Sequence, residues 1–307
     1  MNAKWTLLVA VLLGASGTLA NAAGTTFSKQ AQIGAQNRVV ISNVAGSVTI
    51  STWDKKEVDV QGEVEIGIER VEVSQDNGIV DVKVVLKDNG WSAGSFLDHD
   101  ARLRIKVPVD AQVEASTVSA SISANGLRGR QRLKSVSGDI RSDVAATDLD
   151  LKTVSGRIDL VGNGNTTARV RAASVSGTVT LNHVGGDIEA RSTSGDVDID
   201  AQGASGVHAA AVSGDVSLRG ALAGGAEVEA ASVSGRVKVT AQFPGGFNYD
   251  VTTFSGAIRN CLGVEVDRGS DGRRNFGGGN RISGTRGDGK ATVRARSHSG
   301  NVELCDR

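Results

Sequence analysis

The sequence is poor in most of what chemistry, membrane insertion and polyanion binding require. Its 307 residues include four histidines, two cysteines, two prolines and one tyrosine, and aromatic residues make up 3% of the chain. His99, His183, His208 and His298 follow no ligand spacing, so they give no metal site and no base for a nucleophile. Lysine plus arginine equals aspartate plus glutamate, and this balance leaves nothing that favours nucleic acid. The apolar run near the start is too short for a membrane span, which needs about 18 or more residues, and no comparable run occurs later. No cysteine follows the start of the chain closely, which excludes a lipoprotein-type anchor. Scarce prolines and aromatics beside 40 glycines suit an all-β repeat better than a mixed globular fold.

What is abundant is one pattern. Thr153-Val154-Ser155-Gly156-Arg157-Ile158-Asp159-Leu160 returns with its key residue at Val136, Val175, Thr193, Val212, Val233, Phe254 and His298, and weaker copies stand at Val118 and Val44. From Val118 to Phe254 the intervals are 18, 18, 21, 18, 19, 21 and 21 residues. A period of this length points to a stacked array. With Val154 as position 0, alternation places Val154, Gly156, Ile158 and Leu160 on one face, which we expect to be the inner one, and Ser155, Arg157 and Asp159 outside. Upstream, Leu149 and Leu151 are apolar at −5 and −3. The change of parity implies a corner between −1 and 0, and the recurrent glycine at +2 marks a place where only hydrogen fits or φ is unusual. Each unit would then give two short strands and a polar turn, such as Val161-Gly162-Asn163-Gly164-Asn165 or Ala221-Leu222-Ala223-Gly224-Gly225.

Cys261 lies five residues after Gly256, and Cys305 five after Gly300. The shared register makes them stacked neighbours at a spacing suited to a disulfide. Residues 1–22 read as a secretory signal: Lys4, an apolar run from Trp5 to Leu13, and Ala20-Asn21-Ala22 as a cleavage site. Losing Lys4 with it takes the formal charge from zero to −1. We expect export to a periplasmic or cell-surface location, where two cysteines suit an oxidising compartment. Residues 23–307 read as a single solenoid domain. In it, 51–112 is an inserted β-rich cap containing a hairpin at Gln75-Asp76-Asn77-Gly78, and 263–290 is a Gly/Arg-rich loop between the last two coils. On this reading the final coil, 291–304, has a single neighbour.

The Val-Ser-Gly-Asp-Val/Ile units, the early Asn43-Val44-Ala45-Gly46-Ser47-Val48 and the Trp53-Asp54 after it resemble the bacterial putative-adhesin family, a domain without assigned function. The resemblance covers nearly all of the chain after the signal. It implies a right-handed parallel β-helix, here about ten coils of 18–21 residues, on the cell envelope, and it brings no catalytic residues. The sequence departs from the pattern at Ala120, which replaces glycine, and at His298, a polar residue in the apolar slot.

The expected function is therefore an exported, non-enzymatic, adhesin-like binding or scaffolding protein, with envelope polysaccharide or another envelope protein as partner and no cofactor or metal. Two alternatives come from other classes. A polysaccharide-active enzyme would use outward acids such as Asp196, Asp198 and Asp215, since carboxylates about 5 Å apart serve retaining glycosidases; the same oxygens would suit calcium. An envelope-stress regulator would act through a protein partner. The serine ladder Ser137, Ser155, Ser176, Ser194, Ser213, Ser234, Ser255 and Ser299 has no paired base, and its repetition speaks for structure. Arg268, Arg273, Arg274, Arg281 and Arg286 form a candidate anion-binding surface. Arg286-Gly287-Asp288 reads as part of a turn.

Overall fold

The computed structural model describes residues 24–34, 36–87, 99–143, 148–164, 169–264 and 279–306. The secretory signal expected over 1–22 lies outside them. The described strands are all β and belong to one hydrogen-bonded 23-stranded sheet. Within the repeat, like strands pair in parallel and in register. Gln131–Ser135 lies between Gln112–Thr117 and Leu149–Thr153, with Leu133 beside Ala115 and Leu151. Ile140–Asp143 lies between Ser121–Ala124 and Ile158–Val161. Each layer thus holds one strand before its corner and one after, and adjacent layers repeat at about 4.8 Å.

The core follows from two inward columns that face each other. Position +4 carries Ile122, Ile140, Ile158, Val179, Val197, Val216 and Val237, all buried, and position −3 opposes them with Ala115, Leu133, Leu151, Ala172, Ala190, Ala209 and Ala230. Each fully buried Val, Leu or Ile contributes roughly 1.5–3 kcal/mol relative to exposure. The buried hydroxyl of Ser142 donates to Gln131 Oε1 at 2.7 Å, so that polar pair inside the Val136 layer is satisfied. Three strands are longer than a single layer side: Val179–Ser192, Val197–Ala211 and Val216–Ser232 continue around a second corner through bulges. The segment Ala221–Gly225, expected as a polar turn, is therefore strand, whereas Gly162-Asn163-Gly164 remains outside regular structure.

The order of layers differs from chain order at both ends. Ala291–Ser297 pairs with Val216–Ser232 on one side and Gly246–Thr253 on the other, while Val302–Asp306 lies between Val237–Gln242 and Ile258–Asn260. The expectation that 291–304 ends the stack with one neighbour is thus corrected: this segment is inserted between the Val233 and Phe254 layers. Opposite charges bind it to both, with Arg294 3.3 Å from Glu227, Lys238 3.1 Å from Glu303, and Arg296 3.9 Å from Asp250. The span 263–290, expected as a loop with Arg286-Gly287-Asp288 in a turn, is corrected over 280–287: Asn280–Gly287 is a strand, because its backbone pairs antiparallel with the free edge of Gly246–Thr253. At the opposite end Arg38–Asn43 and Ala45–Trp53 are likewise an inner layer, bounded by Ile79–Leu86 and Asp100–Pro108. Antiparallel strands Ile68–Asp76, Glu57–Val64 and Thr25–Gln32 complete that end. The first of these turns into Ile79–Leu86 through Asn77 and Gly78, both at positive φ (49° and 80°), the combination a type I′ hairpin requires.

Cys261 and Cys305 form a disulfide with Cα atoms 4.7 Å apart, an adjacent-layer spacing. It joins the Phe254 layer to the inserted layer. Among the described residues no helix is long and apolar enough to cross a membrane.

Candidate functional site

The corner that recurs in every layer is where the repeat meets solvent. Thr153 is buried, Val154 and Ser155 are exposed, and Gly156 is buried again. Position 0 therefore faces out, which corrects the inward assignment of Val154 and its equivalents. Val118, Val136, Val154, Val175, Val212 and Val233 are 44–47% exposed and Phe254 53%. The parity slip falls between 0 and +1 because two successive residues turn outward, and the inward residue before the slip is the one at −1. His298 departs from the pattern without cost, since its slot is outward; its ring stacks on Phe254 at 4.9 Å between centroids and 5° between planes.

The −1 residue explains the corner. Ser135, Thr153, Ser174 and Ser192 each accept a hydrogen bond from the N–H of the glycine three residues on, at 2.8–3.0 Å. Their equivalents also donate to the glycine carbonyl of the neighbouring layer: Ser192 to Gly177 at 3.1 Å, Ser232 to Gly214, Ser297 to Gly235 and Thr253 to Gly300 at 2.8 Å. One buried hydroxyl so closes its own turn and ties it to the next. This ladder was missed in sequence reasoning, although Ser or Thr three residues before glycine is the side-chain-to-backbone turn signature that would have shown it. The glycine is required by space and not by φ. A Cβ on Gly156, Gly177, Gly195, Gly214 or Gly235 would stand far inside 3.0 Å of the preceding layer's glycine carbonyl oxygen.

Position +3 makes a second connection. Asp139 Oδ1 accepts from Arg157 N at 2.9 Å, Asp196 from Asp215 N at 2.8 Å, Asp215 from Arg236 N at 2.7 Å, and Asn301 from Ala257 N at 2.9 Å. The acids proposed for glycan chemistry thus bridge layers through backbone N–H groups. Asp198 stands beside them, and its carboxyl is held above the ordinary range by partial burial first and then by Asp196 and Asp215, against the opposing pull of Arg219. Among the described residues no group of three His, Cys, Asp or Glu side chains is arranged to hold a metal ion.

The serines at +1 are exposed, and their backbone N–H groups continue the ladder, Ser155 to the Val136 carbonyl and Ser176 to that of Val154, both at 2.8 Å. Of the arginines proposed as an anion surface, Arg268, Arg273 and Arg274 lie outside the described residues. Arg281 pairs with Asp250 at 3.0 Å and Arg286 with Asp306 at 3.3 Å. Asp288 pairs with Lys290 and accepts its N–H, which holds the carboxyl below the ordinary range. His208 Nδ1 lies 3.4 Å from Glu229. The outer strand faces are occupied by further cross-layer ion pairs, including Arg169 with Asp187 and Arg171 with Glu189. Outward at position 0, one per layer, stand Val118, Val136, Val154, Val175, Thr193, Val212, Val233, His298 and Phe254; among the described residues none of these side chains enters an ion pair, and His298 and Phe254 stack on each other.

A family model described as Toastrack DUF4097 matches residues 36–270. No curated protein matches the chain. Among solved structures, a putative adhesin from Parabacteroides distasonis ATCC 8503 is similar at 12% identity and TM-score 0.37, over 92% of this chain and 97% of that one. One from Bacteroides fragilis NCTC 9343 is similar at 9% and 0.34, with the same coverage. A putative lipid binding protein from P. distasonis ATCC 8503 is similar at 11% and 0.39, over 91% and 97%.

Proposed function

The chain belongs to the Toastrack DUF4097 family, and from that premise we propose that it works without chemistry, as an exported adhesin-like binding or scaffolding module of the bacterial cell envelope. We read its stack as a right-handed parallel β-helix of about ten coils, one rigid domain whose ends are capped by antiparallel strands. The disulfide between Cys261 and Cys305 supports an oxidising location.

One observation carries the reading. The hydroxyls at −1 and the acids at +3 are used by the stack itself, whereas the column at position 0 exposes an apolar side chain in seven of nine successive layers, beside an exposed serine column. Apolar residues scattered singly on a surface need no explanation, but a contiguous row marks an interaction surface. Its partner in this reading is an extended one, envelope polysaccharide or another envelope protein, that follows the row along the layers.

The test replaces Val136, Val154 and Val175 together by threonine. Thr193 occupies the same slot naturally, so the fold should keep its thermal midpoint. Co-sedimentation of the purified protein with isolated cell envelopes should weaken at least tenfold. Unchanged sedimentation would refute the surface, and turnover of a polysaccharide abolished by Asp196→Ala or Asp215→Ala would refute the absence of chemistry.

A further inference from the structure

Away from the valine row, three loops at the N-terminal end enclose an open cleft of about 600 Å³, lined by Ile33, Asn37, Trp53, Lys56, Pro108 and Asp110 among others. Ligand sites commonly occupy about 300–1,000 Å³ and combine apolar walls with a few placed polar groups. The loops are joined to one another before any ligand arrives. Ile33 N–H donates to the Lys56 carbonyl at 3.4 Å, and Gln112 N–H to the Asn37 carbonyl at 2.7 Å. Trp53 lies beside Pro108 in the paired strands, and its indole N–H donates to the Glu57 carbonyl at 2.8 Å, which fixes the ring. Lys55 Nζ and Lys106 Nζ sit 4.8 and 5.8 Å from the ring centroid.

The charges around this ring balance. Lys55, Lys56 and Lys106 are matched by Asp54, Glu57 and Asp110, and of these only Lys55 and Glu57 form an ion pair among the described residues, at 3.5 Å. The cleft therefore presents both donors and acceptors without a net field that would favour a free ion. An apolar wall of Trp53, Pro108, Ile33 and Val109 completes it. A partner matching these features has an apolar face, a rim of hydroxyls able both to donate and to accept, and no charge. We infer that the Trp53 cleft is a saccharide-binding site for an uncharged pyranose ring, separate from the valine row and preformed on the N-terminal cap. The aromatic ring supplies area at low conformational cost, and the flanking Asp54, Asp110, Asn37 and Lys56 supply orientation.

The experiment is a fluorescence titration of the exported full chain in a Trp91→Phe background, which leaves Trp53 the only tryptophan after the leader. The probes are neutral hexasaccharides of β-glucan, chitin, mannan and galactan, with oligogalacturonate as the charged comparison. At least one neutral probe should change Trp53 emission saturably and bind at least tenfold more tightly than oligogalacturonate. Asp110→Ala and Lys56→Ala, on exposed side chains, should each weaken that binding several-fold, and in isothermal titration calorimetry with the same probe, which needs no tryptophan signal, Trp53→Phe should keep part of what Trp53→Ala loses. The threonine triple variant of the valine row should leave the titration unchanged, so failure of this site and failure of the row are read separately. No response to any neutral probe, equal or tighter binding of oligogalacturonate, or full binding by both Asp110→Ala and Lys56→Ala would overturn the proposal.

Discussion

Replacing Gly195 by alanine tests the corner with a single methyl group. The added Cβ would stand far inside 3.0 Å of both the carbonyl oxygen and the carbonyl carbon of Gly177, and 3.0 Å from Ser192 Oγ. The first two are backbone atoms of the layer below, held there by the parallel ladder between Val179–Ser192 and Val197–Ala211. They cannot swing aside as a flexible side chain would, so the layers must separate locally or the turn must tilt. Either response stretches the Ser192 to Gly177 and Gly195 to Ser192 hydrogen bonds, now 3.1 and 2.9 Å. Overpacking of this kind costs typically about 1–3 kcal/mol. The loss of chain freedom in the unfolded state offsets about 0.4–1 kcal/mol, because Gly195 is not at positive φ and alanine meets no torsional penalty. The net expectation is a destabilisation of roughly 1–2 kcal/mol. Gly224→Ala is the matched control, since its Cβ would find nothing within 4 Å, and it should lie within about 0.5 kcal/mol of the parent. Urea titration followed by far-UV circular dichroism gives both values, and hydrogen exchange should localise the Gly195→Ala effect to the Val175, Thr193 and Val212 layers. Equal midpoints for the two variants would refute the packing argument.

The remaining predictions concern the hydroxyl ladder, a titrating acid and the disulfide. Ala211 is the one −1 position between Thr117 and Ser297 in the stack without a hydroxyl; Ala211→Ser should stabilise by roughly 0.5–1.5 kcal/mol in the same titration, and no gain would mean that the ladder adds nothing. Asp198, whose native carboxyl titrates above its ordinary value, disfavours the fold once ionised. Asp198→Asn should therefore raise the thermal midpoint at pH 7, with the gain appearing as pH rises from about 3.9 through the native value and absent at pH 3; an equal gain at both pH values would contradict this sign. Reduction of Cys261–Cys305, which closes a separation of 44 residues, should cost up to about 4 kcal/mol in the chain-entropy picture. Because 291–304 is held on both sides, faster hydrogen exchange on reduction should appear in 246–260 and 280–287, and its appearance in 291–304 instead would contradict the layer order.

The repeat, its strands and the neighbouring cysteines were legible because a period of 18–21 residues fixes what stacks on what kind of position. Layer order was not, since every unit carries the same pattern and any one can sit on any other. The Cys261 to Cys305 register is satisfied whether the last unit lies outside the Phe254 layer or beneath it. Only cross-layer charges, such as Arg294 with Glu227 and Lys238 with Glu303, distinguish the two arrangements, and they join residues far apart in the chain. The inner and outer faces of the corner were misread for a different reason. Valine is the apolar residue and serine or threonine the polar one, yet the buried hydroxyl at −1 has its partners supplied by glycine backbone, while the valine side chain at 0 turns outward on a turn whose backbone N–H groups bond to the next layer. Alternation holds on either side of the corner and fails across it. The Trp53 cleft joins Ile33, Gly34 and Asn37 with residues 53–56 and 108–110, and no spacing within one segment announces it.

The central claim is that the outward valine row is the face that meets the envelope. Photo-crosslinking in cells exporting the full chain tests it directly, with a benzophenone amino acid placed singly at Val154 or Val212 in the row and at Arg171 or Arg132 on an outer strand face. The account predicts crosslinks to envelope material from both row positions and background levels from the other two. Equal crosslinking from all four positions, or crosslinks confined to Arg171 and Arg132, would contradict it.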